Sequence, residues 1–250
     1  MARTFKVLSA LLSYPTEDIV AAAPAMIDVL NGERLLKPHQ VRTLTPLIDE
    51  IVHGDLYELQ ERYVLLFDRT RSLALHMFEH VHGESRERGQ AMVDLKQLYE
   101  DAGLAIAANE LPDYLPLFLE FLATRPLPEA LDLIGQPAHI FAGLAERLRR
   151  RSSPYTALFD ILAKLANADP DCAEVRQLVD APDVDPGDLE ALDKAWEDEE
   201  VRFGPTAQAD CGGDSLISKL RAATRPAPGT EPAGARGPRT AITYSGHRLA

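Results

Sequence analysis

Residues 41–66 read VRTLTPLIDEIVHGDLYELQERYVLL, and this stretch decides the fold class. Val41, Leu44, Ile48 and Ile51 recur at steps of three and four, the spacing that lines one face of an α-helix. His53-Gly54 then stops the pattern. Asp55 restarts it, with Glu58 three positions later completing a capping-box-like start, and Leu56, Leu59, Tyr63 and Leu66 form the next apolar face. No strand of alternating apolar and polar residues fits this stretch.

The same period extends in both directions. Phe5, Leu8, Leu11 and Leu12 mark a helix stopped by Tyr14-Pro15, and Ile19, Ala23, Met26, Val29 and Leu30 mark another closed by Asn31-Gly32. Downstream, Met92, Leu95, Leu98, Tyr99 and Ala102 predict a helix ending at Gly103. Pro112 suits the first turn of a helix carrying Tyr114, Phe118 and Phe121. Leu131, Ile134, Phe141, Leu144 and Leu148 give one more, and Tyr155, Leu158, Ile161, Leu162 and Leu165 a last. The chain reads as all-α, with no lasting β alternation and no internal repeat.

Domain organisation follows from composition. Residues 1–222 are expected to form one helical domain, within which 183–203 is strongly acidic and anchored by Leu189, Leu192 and Trp196. Residues 223–250 are rich in Pro, Gly, Ala and Thr and bury too little apolar area to offset their ordering entropy, so they read as a disordered tail.

Charge and cysteine content narrow the function. The 250 residues carry 26 Lys and Arg against 39 Asp and Glu, a formal net charge of −13. That balance disfavours nucleic acid and anionic lipid, which need clustered cations, and favours a basic or amphipathic polypeptide as partner. No apolar run reaches the length of a membrane span. Cys172 and Cys211 make neither a disulfide framework nor a four-ligand zinc site, and the N-terminus lacks a leader cleavage pattern. The expected location is the cytoplasm.

The densest mixture of functional side chains lies between Phe67 and Leu95, where His76, Glu79, His80, His82, Glu84 and Arg86 surround Phe78 and Val81. Three readings compete. His76-Met77-Phe78-Glu79-His80 matches the inverted zinc-protease pattern, with two ligands one helical turn apart and Glu79 as base, which would make a zinc hydrolase. Alternatively the charges form an internal joint, with Asp68, Arg69 and Arg71 pairing Glu79 and Glu84. The third reading is a peptide-recognition surface, where apolar anchors give affinity and charges set register, with Glu110, Asp113 and Glu120 contributing beside Tyr114. Histidines titrate near neutrality, so contact through His80 and His82 would make binding vary between about pH 5.5 and 7.5.

Several blocks carry a resemblance to a known family. LFDRTRSLALHMFEHVHGESRERGQAMVDL (66–95), NELPDYLPLFLEFLA (109–123), SPYTALFDILAKLAN (153–167), AWEDEEVRF (195–203) and CGGDS (211–215) resemble, in order and spacing, the nitrate reductase molybdenum-cofactor assembly chaperones, the delta subunits of respiratory nitrate reductase operons. The resemblance spans roughly residues 5–220. It implies an all-helical bundle of the redox-enzyme maturation chaperone type and no catalytic activity. It further implies binding to the N-terminal segment of the apo catalytic subunit, support of molybdenum-cofactor insertion and of assembly at the membrane, and absence from the finished complex. By the same resemblance no cofactor is expected to be bound stably, because the client carries the molybdenum guanine dinucleotide. A structural subunit retained in the mature complex is the alternative partner role. The resemblance carries Phe78, Glu79, His80, Val81, His82, Glu84, Arg86, Glu110, Pro112, Asp113 and Tyr114 over as partner-binding residues. Two positions depart from the family pattern: His76 stands where an apolar residue is usual, and Tyr114 where a histidine often follows the Pro-Asp pair.

Overall fold

The structure, a computed structural model, describes residues 2–82, 86–106 and 110–183, isolated positions between 185 and 193, and Thr240–Ile242. For 82, 86 and 87 it describes the backbone only. The described residues are all-α apart from two short strands.

The first helices follow the sequence periodicity. Helix α1 (Arg3–Leu11) buries Phe5, Leu8 and Leu11, and α2 (Glu17–Glu33) starts at Thr16, whose hydroxyl accepts from the Ile19 N–H. The second helix passes through Asn31-Gly32 and ends at Arg34, which takes the left-handed conformation at φ 59°. The expected stop at Gly32 fails for a physical reason. The Glu33 carboxylate accepts the Arg3 and Thr4 N–H groups at the start of α1, so the last turn of α2 continues to bring it there. Glu33 is correspondingly held below the usual carboxylate range: burial opposes this, and the Thr4 and Arg3 hydrogen bonds outweigh it.

Helix α3 (Pro38–His53) buries Val41, Leu44, Ile48 and Ile51, as their spacing requires. Asp55 caps α4 (Leu56–Phe67), its carboxylate accepting from Tyr57 and Glu58 N–H at 2.9 and 3.3 Å. A single 3-10 turn (Arg71–Leu73) and the four-residue α5 (Glu79–His82) lie in the charged window, and residues 68–70 and 74–78 on either side of the 3-10 turn are irregular backbone. Helix α6 (Arg86–Asp101) follows, and Gly103 turns the chain at φ +78°, where a side chain would be strained. Strand β1 (Leu104–Ile106) comes next.

Helix α7 (Leu115–Thr124) has Pro116 in its first turn and buries Leu117, Phe118, Phe121 and Leu122. Pro112 lies in the turn ahead of it rather than in the helix, because Asp113 is used as an internal acceptor. The stretch 131–148, expected as one helix, divides into α8 (Leu127–Ile134) and α9 (Ala138–Arg150), broken at Gly135-Gln136-Pro137. Helix α10 (Thr156–Leu165) and α11 (Ala173–Asp180) complete the body.

Helices α9 and α10 pack on each other, α1 lies between α7 and α2, α3 joins α2 to α10, and α11 covers α9. The shared core contains Phe5, Phe118, Phe121, Phe141, Tyr155 and Phe159, all essentially inaccessible to water. Each fully buried aromatic or aliphatic side chain of this kind contributes about 1.5–3 kcal/mol relative to exposure. Arg147, buried on α9, donates to the carbonyl oxygens of Ser72 (2.9 Å), Ala181 (3.1 Å) and Leu178 and so ties the end of α11 to the 3-10 turn.

From 223 onward, where the sequence reads as a tail without structure, the described residues are Thr240–Ile242. They form β2, parallel to β1 with Leu104, Ala105 and Ile106 opposite Thr240, Ala241 and Ile242. Leu189, Leu192, Trp196 and the rest of the acidic segment's apolar positions lie outside the described residues. None of the described helices is long and apolar enough to cross a membrane.

Candidate functional site

Two segments far apart in sequence meet at the predicted site. Backbone hydrogen bonds join Met77 N–H to Asp113 O (3.1 Å) and Leu115 N–H to Leu75 O (2.8 Å), and His76 and Tyr114 form an isolated antiparallel bridge. Around this junction the side chains sort into an interior set and a surface set.

Asp113 is the centre of the interior set. Its side chain is 0% exposed, one oxygen accepting the Phe78 N–H at 3.0 Å and the other facing His76 Nδ1 at 3.3 Å. Phe78 and Pro112 are buried too, and the Pro112 carbonyl accepts from the buried Tyr99 hydroxyl at 2.8 Å. These three expected partner-binding residues therefore build the wall behind the surface. Asp113 has no oxygen turned outward to meet a basic peptide.

The histidines are also engaged inside the chain. His80 Nε2–H donates to the Ala74 carbonyl at 2.8 Å, and burial pushes its pKa below the ordinary value. His76 is pushed down by burial too, but the Asp113 hydrogen bond and charge, with help from Glu79, raise it overall. Glu79 pairs with Arg88 at 3.0 Å rather than with Arg69 or Arg71. Val81 is half-buried against the core. Glu84 and the side chains of His82 and Arg86 lie outside the described residues, and Glu120 is half-buried on α7 with its pKa raised by burial.

This arrangement corrects the geometry of the metal reading. His76 sits in extended backbone bridged to Tyr114, and α5 begins only at Glu79, so His76 and His80 do not share a helix face. Their ring nitrogens meet Asp113 and Ala74 O respectively. Among the described residues no three His, Cys, Asp or Glu side chains gather as a metal would require.

The surface set includes Glu110 and Tyr114, which open onto a cavity of about 280 Å³ together with Tyr14, Tyr63, Phe67, Asp68 and His76. Tyr14 stands edge-on to Tyr63 (centroids 5.6 Å, 88°), and Tyr63 contacts Phe67 at 5.1 Å. Tyr63 donates its hydroxyl to the Leu12 carbonyl at 2.9 Å, so the 3.0 Å contact with the Tyr114 hydroxyl has Tyr114 as donor. Leu111 beside it is exposed. The sequence singles out Glu110 and Tyr114 as partner-binding residues and His76 only as a candidate metal ligand, and it does not place Tyr14, Tyr63, Phe67 or Asp68 in a site. Tyr63 read as core, and Tyr14 as a helix stop. The one available signal was the Tyr63, Phe67 pair one helical turn apart. A larger cavity of about 740 Å³ between α9, α10 and α11 is lined by none of the expected site residues.

The family model for the nitrate reductase delta subunit matches residues 37–160, which hold most of this cavity and the whole Asp113 junction. Over 217 residues, 86% of this chain and 90% of the relative, the chain is 40% identical to the nitrate reductase molybdenum cofactor assembly chaperone NarJ of Escherichia coli strain K12. The chain belongs to the nitrate reductase delta subunit family. The NarW protein of the same strain is 37% identical over 211 residues, covering 84% of this chain and 88% of NarW. The NarJ protein of Bacillus subtilis strain 168 is 34% identical over 164 residues, covering 64% of this chain and 85% of its own length. Membership extends across the helical body, and Tyr14 is the one cavity residue named above that lies outside the matched 37–160.

Proposed function

We propose that this protein is a non-catalytic assembly chaperone for a respiratory nitrate reductase. It binds the N-terminal segment of the apo catalytic subunit, keeps that subunit competent for molybdenum-cofactor insertion in the cytoplasm, and leaves before the enzyme is complete at the membrane. The cofactor belongs to the client, and the chaperone holds none stably. Relatives named as assembly chaperones match nearly the full helical body, which supports the general role.

The observation that carries the binding reading is the cavity beside the 76/114 junction, an aromatic concavity edged by carboxylates in a chain of net charge −13. An apolar lining with a few convergent polar groups is the usual form of a recognition site. Tyr114, Glu110 and Leu111 contact the client, while Asp113, Pro112 and Phe78 fix the backbone that presents them. Val81, Glu79, His80, His82, Glu84 and Arg86 are proposed as further residues that recognise the client.

Calorimetry of the full-length protein with a peptide of the catalytic subunit's N-terminus tests this. Micromolar or tighter binding, weakened at least tenfold by Glu110→Lys with Tyr114→Ala, is the expected result. Equal affinity in that variant, with an unchanged circular dichroism spectrum, excludes the cavity as the docking site.

A further inference from the structure

Resting on the client-binding reading above, we infer that the cavity between α4 and the 110–114 segment is a cation pocket that accepts one arginine side chain of the bound segment. Its size sets the first limit. A volume of about 280 Å³ has room for a single long side chain, not for a turn of helix, so the remainder of the client lies outside it.

The lining sets the second limit. Tyr14, Tyr63 and Phe67 form a chain of ring contacts at 5.6 and 5.1 Å, and aromatic faces carry the negative end of the ring quadrupole. Tyr114 donates to Tyr63 and Tyr63 donates to the Leu12 carbonyl, so the Tyr63 hydroxyl hydrogen is committed within the fold. Asp68 and Glu110 stand at the same cavity, and neither carboxylate has a hydrogen bond or ion pair with another described side chain.

Other occupants fit worse. An acidic side chain meets two carboxylates. A purely apolar one desolvates the carboxylates and the phenols without replacing their hydrogen bonds. Lysine satisfies the charge, but a planar guanidinium also stacks on ring faces and forks between two acceptors. Among the described residues of the wall the one potential cation is His76, whose Nδ1 is directed to Asp113 behind the cavity at 3.3 Å. At pH well above its titration this ring is neutral, and no other described cation lines the cavity beside Asp68 and Glu110.

Two measurements test the pocket on the full-length protein at pH 8.5. In the first, Nα-acetyl-arginine amide is titrated in while the tyrosine ring signals are followed by NMR. Saturable shifts of Tyr14, Tyr63 and Tyr114 that are absent with the citrulline analogue, and absent in Asp68→Asn/Glu110→Gln, are expected. Identical responses to arginine and citrulline overturn the pocket, whatever the client does. In the second, each arginine of the client peptide is replaced singly by citrulline. One replacement is expected to weaken binding about tenfold or more, as loss of a charge-assisted contact does, and to have little further effect on the Asp68→Asn/Glu110→Gln protein. A peptide that binds well but shows no such coupling at any arginine overturns this inference and leaves the client reading standing. A peptide that does not bind at all, while arginine amide does, overturns the client reading and leaves the pocket.

Discussion

Asp113 and His76, 37 positions apart in sequence, face each other at 3.3 Å across the seam that joins the charged window to the start of α7. The carboxylate is fully buried, and its other oxygen holds the Phe78 N–H at 3.0 Å. The pair therefore couples protonation of one ring to the geometry of the whole seam.

The first prediction concerns pH and has two opposite signs. His76 has its pKa raised in the fold, so its contribution is complete below about pH 6.5 and is lost as pH rises through the folded-state value. His80 has its pKa lowered, so its contribution is present above about pH 6.5 and is lost as pH falls through the folded-state value. Denaturant unfolding of wild type against His76→Leu should show a wild-type advantage of about 1 kcal/mol at pH 5.5 that shrinks by pH 8.5. Against His80→Leu the advantage should instead grow with pH. A pH-independent difference in either series removes that histidine from the account.

The second prediction separates wall from surface. Asp113→Ala leaves a buried N–H without an acceptor and should cost about 2–3 kcal/mol in stability. Asp113→Asn keeps one acceptor oxygen and should cost clearly less. If the alanine variant melts like wild type, Asp113 is not the support described above.

Much of the fold was legible because helix faces are local. Val41, Leu44, Ile48, Ile51, Leu59 and Tyr63 are all buried, and Asp55 caps its helix as its position demanded. The misreadings occurred where a distant group intervened. Gly32 lost its role as a stop because Glu33 is drawn to the start of α1, and Pro112 was displaced from a helix because Asp113 serves the Phe78 N–H. The site divided in the same way. Glu110 and Tyr114 stood in a recognisable block, whereas Tyr14 and Tyr63 reach the cavity because the segment after α1 meets α4 through the Tyr63 ring and hydroxyl, which no local pattern encodes. Composition cannot tell a buried carboxylate from an exposed one, and Asp113 was misplaced for that reason.

A third prediction addresses the staple from α9. Arg147→Met should destabilise by roughly 2–4 kcal/mol, since carbonyls of Ser72, Leu178 and Ala181 lose a shared donor. Arg147→Lys should recover little, because one ammonium cannot reproduce the guanidinium fork. Hydrogen exchange should then show α11 opening before α9. Protection that stays even along both helices speaks against the staple.

Tyr63→Phe supplies a fourth. It removes the hydroxyl that bridges the Leu12 carbonyl and Tyr114 while keeping the ring, and should cost about 1 kcal/mol of stability. Client affinity should fall further than in Tyr57→Phe, a substitution at an exposed ring. Equal affinities for the two variants would detach the tyrosine pair from recognition.

The parallel pairing of Thr240–Ile242 with Leu104–Ile106 has a practical side. A chain shortened ahead of Thr240 keeps every helix described above but leaves β1 as a bare strand edge, and bare edges recruit strands from neighbouring molecules. Self-association of such a shortened protein at high concentration would then report a missing strand partner and not a damaged core. Supplying the 240–242 segment as a free peptide should return it to monodispersity.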